Sequence, residues 1–259
     1  MKEFKIWLRY TNNSFQQVLS NRAIVTIFIT GKSLRIALFL LFLNFLFKGT
    51  TNLAGYSREQ IIFFYLSFNL IDTTGQLLFR EVYRFGNMVV TGGLDQVLVK
   101  PIHPLIRVLL GGADVLDLIM LVILLFLTTW FGTSYISANI YSWISFAALL
   151  LNGLIIAAAM HVFILGLTII FITVNHLIMI YRDLTAMLRI PVDLYVEPLR
   201  SLLTFILPLG IMLTFPAKAL MGLLSPINII ISFIFSALAL FLSLFFWHFS
   251  LRYYSSASS

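Results

Sequence analysis

The 259-residue sequence contains no cysteine, which excludes disulfides and thiolate metal sites. Charge is scarce as well. Asp, Glu, Lys and Arg together make up 10% of the chain, far too little for a water-covered surface. Seven prolines and 14 glycines are too few for a fibrous or disordered chain. The first 22 residues are polar and basic, with no short apolar core leading to a small-residue cleavage site, so no cleavable signal is expected and insertion falls to the spans themselves. The chain also lacks an H-E-x-x-H motif, a Ser/His/Asp arrangement and an Asp/Gly cluster of the lipid-transferase kind. Nothing in it points to catalysis.

What the chain does have is apolar length. It is 60% hydrophobic, with 25 Phe, and only a bilayer can serve as solvent for that surface. The expected fold class is an all-α integral membrane protein. Six apolar stretches approach the roughly 20 residues needed to cross a hydrocarbon core. They fall near 23–48, 60–79, 107–131, 141–173, 199–217 and 227–249. Pro208 and Pro216 interrupt the fifth. Residues 1–22 mix Phe4, Trp7, Leu8 and Tyr10 with Lys2, Lys5 and Arg9, the composition of a helix lying in the headgroup plane. Residues 23–259 then form one membrane domain.

The net charge of +7 reflects loop placement rather than a nucleic-acid face. With both termini cytoplasmic, twelve of the 17 Lys and Arg residues fall inside and three (Lys48, Arg58 and Lys218) outside. Lys32 and Arg35 lie within the first span. This orientation puts the 80–106 and 174–198 segments in the cytosol.

Several residues invite a chemical reading. Thr26 to Ser33, ending Gly31-Lys32-Ser33, is one residue short of a Walker A loop, with Thr26 where the first glycine belongs. It sits in an apolar helix rather than after a strand, so nucleotide binding is not expected here. Lys32 and Arg35, one turn apart, are expected to snorkel or to face a polar interior. Asp114 and Asp117, at i and i+3 on the third span, are expected to share a face. Carboxylates at that depth must meet protein or water. Two uses stay open: a cation or proton path, or structural ion pairs with Arg22, Lys32, Arg35 or Arg107. Asp72 receives the same reading. His161 and His176 are too far apart for one helix face, and metal ligation is not expected.

The densest polar stretch joins the second and third spans. Arg80, Glu81, Arg84 and Phe85 open an amphipathic helix, Gly92-Gly93 breaks it, and Leu94, Val97 and Leu98 form an apolar stripe around Asp95 and Lys100. Pro101 and Pro104 stop any helix before the next span. A solvated loop has no need of such a stripe, so a docking surface is expected.

Two patches resemble the ABC-2 type permease subunits of ABC transporters, in particular the bacterial six-span group. One is Gly93-Leu94-Asp95-x-x-Leu98-x-x-Pro101-x-x-Pro104. The other is Pro191-Val192-Asp193-Leu194-Tyr195, followed by Thr204-Phe205-x-Leu207-Pro208 and Phe215-Pro216-Ala217. The resemblance implies a bacterial inner-membrane protein in which two permease chains, identical or paralogous, form an export path through membrane lipid. ATP and Mg would be held by separate ATPase subunits, and residues 80–104 would act as the coupling helix. A self-sufficient ion-coupled carrier using Asp114 and Asp117 is the competing reading. Such carriers often contain internal repeats, and none is evident between residues 1–130 and 131–259.

Overall fold

The computed structural model describes residues 2–19, 21–171 and 177–255. Those residues are helical throughout their regular structure, with no strand among them. The opening helix α1 (Lys2–Leu19) leads into α2 (Arg22–Leu46) and α3 (Arg58–Phe79). Three short helices follow: α4 (Val82–Val90), α5 (Gly93–Leu98) and α6 (Pro104–Leu109). Then come α7 (Val115–Tyr135) and α8 (Ile140–Ile170). After α9 (Leu177–Met187) the chain breaks into α10 (Leu199–Ser201), a π-turn over Leu202–Ile206, α11 (Leu209–Leu213) and α12 (Phe215–Leu220). The last long helix is α13 (Pro226–Ser250).

Among the described residues, five helices are long and apolar enough to cross a membrane: α2, α3 with its continuation into α4, α7, α8 and α13. Each opens on a side-chain cap. Asn21, Ser57, Asp114, Asn139 and Ser225 accept from backbone N–H groups two or three residues on. Such caps satisfy donors that hydrocarbon cannot. The core lies between α3, α7 and α8, where Phe63, Leu124 and Ile156 are fully buried. Outward faces stay apolar: Ile27 is 73% exposed, Phe45 74% and Phe241 66%. In water a belt of this kind aggregates. Against lipid tails it is the expected surface.

Two of the expected spans need correction. The third begins at Val115 and not near residue 107. The Gly111-Gly112-Ala113 stretch leaves helical geometry and Asp114 takes an extended conformation as the cap of α7, so α6 is a separate piece. The fifth, 199–217, is not one continuous helix. Pro208 cannot donate to a helical ladder, and the segment divides there. It forms instead a hairpin of short helices beside α8. An ideal Cβ on Gly153 would lie 2.7 Å from the Met212 carbonyl oxygen, so this glycine is what lets α11 come so close to α8.

The 174–198 segment also departs from expectation, because its described part does not stay at one end of the bundle. α9 runs back along α8, with the Tyr181 and His161 rings 4.9 Å apart. Asp193 then reaches the α2–α3 connection. There the Tyr56 hydroxyl donates to it at 2.8 Å, while Lys218 donates to both of its oxygens at 3.1 Å. Burial, reinforced by the Asp193 carboxylate, raises the Tyr56 phenol well above its ordinary pKa. The hairpin therefore starts and ends near the α2–α3 connection, with Leu207-Pro208 at its inner tip. Helices α1, α4, α5 and α6 gather at the opposite end of the bundle, together with Tyr254.

Candidate functional site

At that opposite end, a band of charge joins α2, α3 and α7. Lys32 on α2 forms an ion pair with Asp117 in the first turn of α7, and Asp117 is fully buried. The same Lys32 ammonium donates to Gln76 Oε1 at 3.3 Å and lies 5.0 Å from the centre of the Phe28 ring. Gln76 in turn donates to Asp72 Oδ2 at 2.8 Å, one helical turn earlier on α3. The sequence-selected Lys32, Asp72 and Asp117 thus meet through Gln76, whose only sequence signal is its i+4 spacing from Asp72. Arg35 is exposed on α2 and does not join them.

Asp114 is the cap of α7 and Asp117 lies in its first turn, and the two carboxylates take different cations. Asp114 Oδ1 accepts from the Leu116 amide at 2.9 Å and its Oδ2 lies 3.6 Å from Arg80. Glu81 collects two arginines, Arg107 at 3.1 Å and Arg84 at 3.5 Å. The Arg107 guanidinium also covers the Tyr10 ring of α1 at 4.6 Å, and Thr11 accepts from the Ala113 amide at 3.3 Å. Helix α1 is therefore tied to the segment that opens α7.

Beyond this band, α4 and α5 form a projecting angle. Gly92 makes the turn with φ of +73°, a conformation that costs a glycine little. The angle has an inner and an outer side. Phe85 and Leu94 belong to the inner one: Phe85 packs 6.1 Å from the Trp247 ring of α13, and Leu94 is wholly buried with Val97 beside it. This corrects the expectation that Phe85 and Leu94 face a partner. An amphipathic pattern shows that one side is covered without showing by what, and here the cover is the protein's own core. The outer side carries Arg84, Val90, Leu98, Val99, Lys100 and Pro101, with Val99 83% exposed. Gly93 opens α5, Asp95 lies in its first turn, and Pro104 is the first residue of α6. Burial and the Asp95 carboxylate push the Tyr254 hydroxyl up to about 12, which places Asp95 against the C-terminal segment.

The model of the ABC-2 family transporter protein matches residues 34–258. The chain belongs to the ABC-2 transporter family. Comparison with curated proteins gives no match. Membership makes the chain a membrane component of an ABC transporter and implies an ATPase partner. In this ABC-2 protein no group of three or more His, Cys, Asp or Glu among the described residues could hold a metal ion. His161 is buried with its Nδ1 2.7 Å from the Ala157 carbonyl oxygen, and His176 lies outside the described residues.

Sequence reasoning missed a second polar cluster, at the α2–α3 end of this ABC-2 chain. Besides Asp193, Lys218 and Tyr56 it contains Glu197 and Arg200, 2.9 Å apart. The residues lie on the loop and the hairpin, separated by up to 162 positions, and only the resemblance drew attention to the region.

Proposed function

We propose that the chain is the membrane-spanning half of an ATP-driven exporter. It pairs with a second permease chain, identical or paralogous, and takes its energy from separate ATPase subunits docked in the cytosol on the outer side of the α4–α5 angle. The observation that carries this reading is the exposed Leu98-Val99-Lys100-Pro101 corner, apolar and basic, set on helices whose other side is locked into the core. A surface of this shape transmits a push into α3 and α13 without deforming itself. Both termini lie on the same cytoplasmic side, and the assembly sits in a bacterial inner membrane.

Asp114 and Asp117 are structural in this account. One caps α7 and faces Arg80, and the other neutralises Lys32. Neither then carries a coupling proton. The test is reconstitution of the chain with its ATPase in vesicles. Transport that needs ATP and continues after an ionophore has collapsed the pH gradient is the expected result. Transport that stops on collapse of the gradient, with ATP still hydrolysed, overturns the proposal and favours an ion-coupled carrier built on these two carboxylates.

A further inference from the structure

Two neighbouring cavities share Phe205 of the hairpin in their walls. One, of about 360 Å³, lies between α8, the hairpin tip and α13, with Met160, Phe163, Phe235 and Leu238 on its walls and Ser243 as its one polar side chain. The other, of about 310 Å³, lies toward the α2–α3 end and holds Asp193, Glu197, Arg200, Ser201, Lys218 and Asn228. Phe205 lines both. A third cavity, of about 320 Å³ between α3, α7 and α8, is equally apolar but has no charged residue in its wall. It is an ordinary lipid furrow and serves as the comparison.

We infer that the two neighbouring cavities together bind a single-chain amphiphile with a polar head of no net charge, its chain passing Phe205. Tail and head are divided by the geometry: an apolar half at the depth of the spans, and a polar half at their end. The head class follows from the charges. Lys218 is paired with Asp193 at 3.1 Å and Arg200 with Glu197 at 2.9 Å, while Ser201 donates to Glu197 at 2.6 Å. The four charges cancel, yet donors and acceptors of both signs line one cavity. Glu197 and Arg200 are half-exposed, but Lys218 and Asp193 are partly buried, and a net-charged head must break that pair or remain unneutralised beside it. A zwitterionic or hydroxyl-rich head meets both signs at once. Lipid tails are as apolar as the groove, so the tail half gains little by hydrophobicity alone. It selects by shape, and the head half supplies the affinity.

This names a cargo class and so rests on the transport reading, but binding is measured on the full chain without its ATPase. A failed binding result therefore leaves the ATP-driven reading intact, and the reverse also holds. Nanodiscs bearing the chain are mixed with single-chain lipids that carry a photoreactive group on the tail and a phosphocholine, glucosyl or phosphoglycerol head. Saturable labelling of residues 235–243 by the phosphocholine or the glucosyl probe is expected, and the stronger of the two identifies the head. The anionic phosphoglycerol probe labels at least about tenfold less, the effect of one lost charge-assisted hydrogen bond. Ala239→Trp fills the apolar half and abolishes the labelling. Leu242→Trp, at the exposed rim, replaces it if the first variant does not fold. Ala147→Trp, in the comparison furrow, leaves the labelling unchanged. Labelling that does not saturate, that is as strong in the comparison furrow, or that is strongest with the anionic head overturns the inference and leaves only annular lipid.

Discussion

A Leu98→Asp/Val99→Asp variant is expected to lose its ATPase subunit on purification while its spans stay folded. Leu98 is 37% exposed and Val99 83%, so the new carboxylates meet water in the free chain and its folding is spared. In the proposed docking contact they would be desolvated beside Lys100 and Arg84. Apolar anchors at the centre of an interface are each worth roughly 2 kcal/mol or more, so the pair weakens docking by at least about a hundredfold. Co-purification measures this directly, with thermal unfolding of the membrane chain as the control. Leu94→Asp behaves differently. It buries a carboxylate in the core and lowers the unfolding temperature whether or not a partner is present. An ATPase still bound to the double variant contradicts the proposed docking corner.

The second large effect concerns Lys32 and Asp117. Asp117→Asn leaves the Lys32 ammonium, whose side chain is 10% exposed, facing a neutral amide. Lys32→Met leaves a fully buried carboxylate with no cation. Breaking a buried pair on one side costs roughly 3–5 kcal/mol, because the surviving charge is uncompensated. The Lys32→Met/Asp117→Leu double variant removes both charges and recovers most of the loss. Thermal unfolding of the four proteins in one detergent closes the cycle. Simple additivity of the two single losses contradicts a direct, energetically coupled pair.

The long apolar helices were legible because their signal is composition over a span length, and α2, α3, α7, α8 and α13 all carry it. The start of α7 is hidden from the same measure, which treats Leu109, Leu110 and Ala113 as part of the span. The break is encoded locally, in Gly111-Gly112 and in Asp114 as a cap, and an averaged hydropathy hides such signals. The 199–217 segment has the averaged hydropathy of a span for the same reason. Its prolines divide a hairpin rather than kink a crossing. Helix α9, which does run along the bundle, escaped notice because it carries Tyr181, Arg182 and Asp183. Tyr181 is buried against the bundle, while the exposed Arg182 and Asp183 lower the averaged hydropathy of the helix. At the charged band the residue types were legible but their pairing was not. Lys32 could reach several acids, and the choice of Asp117 depends on the packing of α2 against α7. The Leu94 stripe shows the limit of periodicity most clearly, since the pattern reports a covered face and only the fold reveals the cover.

The most direct measurement of the central claim is site-specific crosslinking in the assembled transporter. A photoreactive amino acid at Val99, on the outer side of the angle, is expected to capture the ATPase subunit in membranes. The same residue at Leu94, on the inner side, is expected to capture only this chain. Capture of the ATPase from neither position, in a complex that still hydrolyses ATP and transports, would contradict an ATPase docked on α4 and α5.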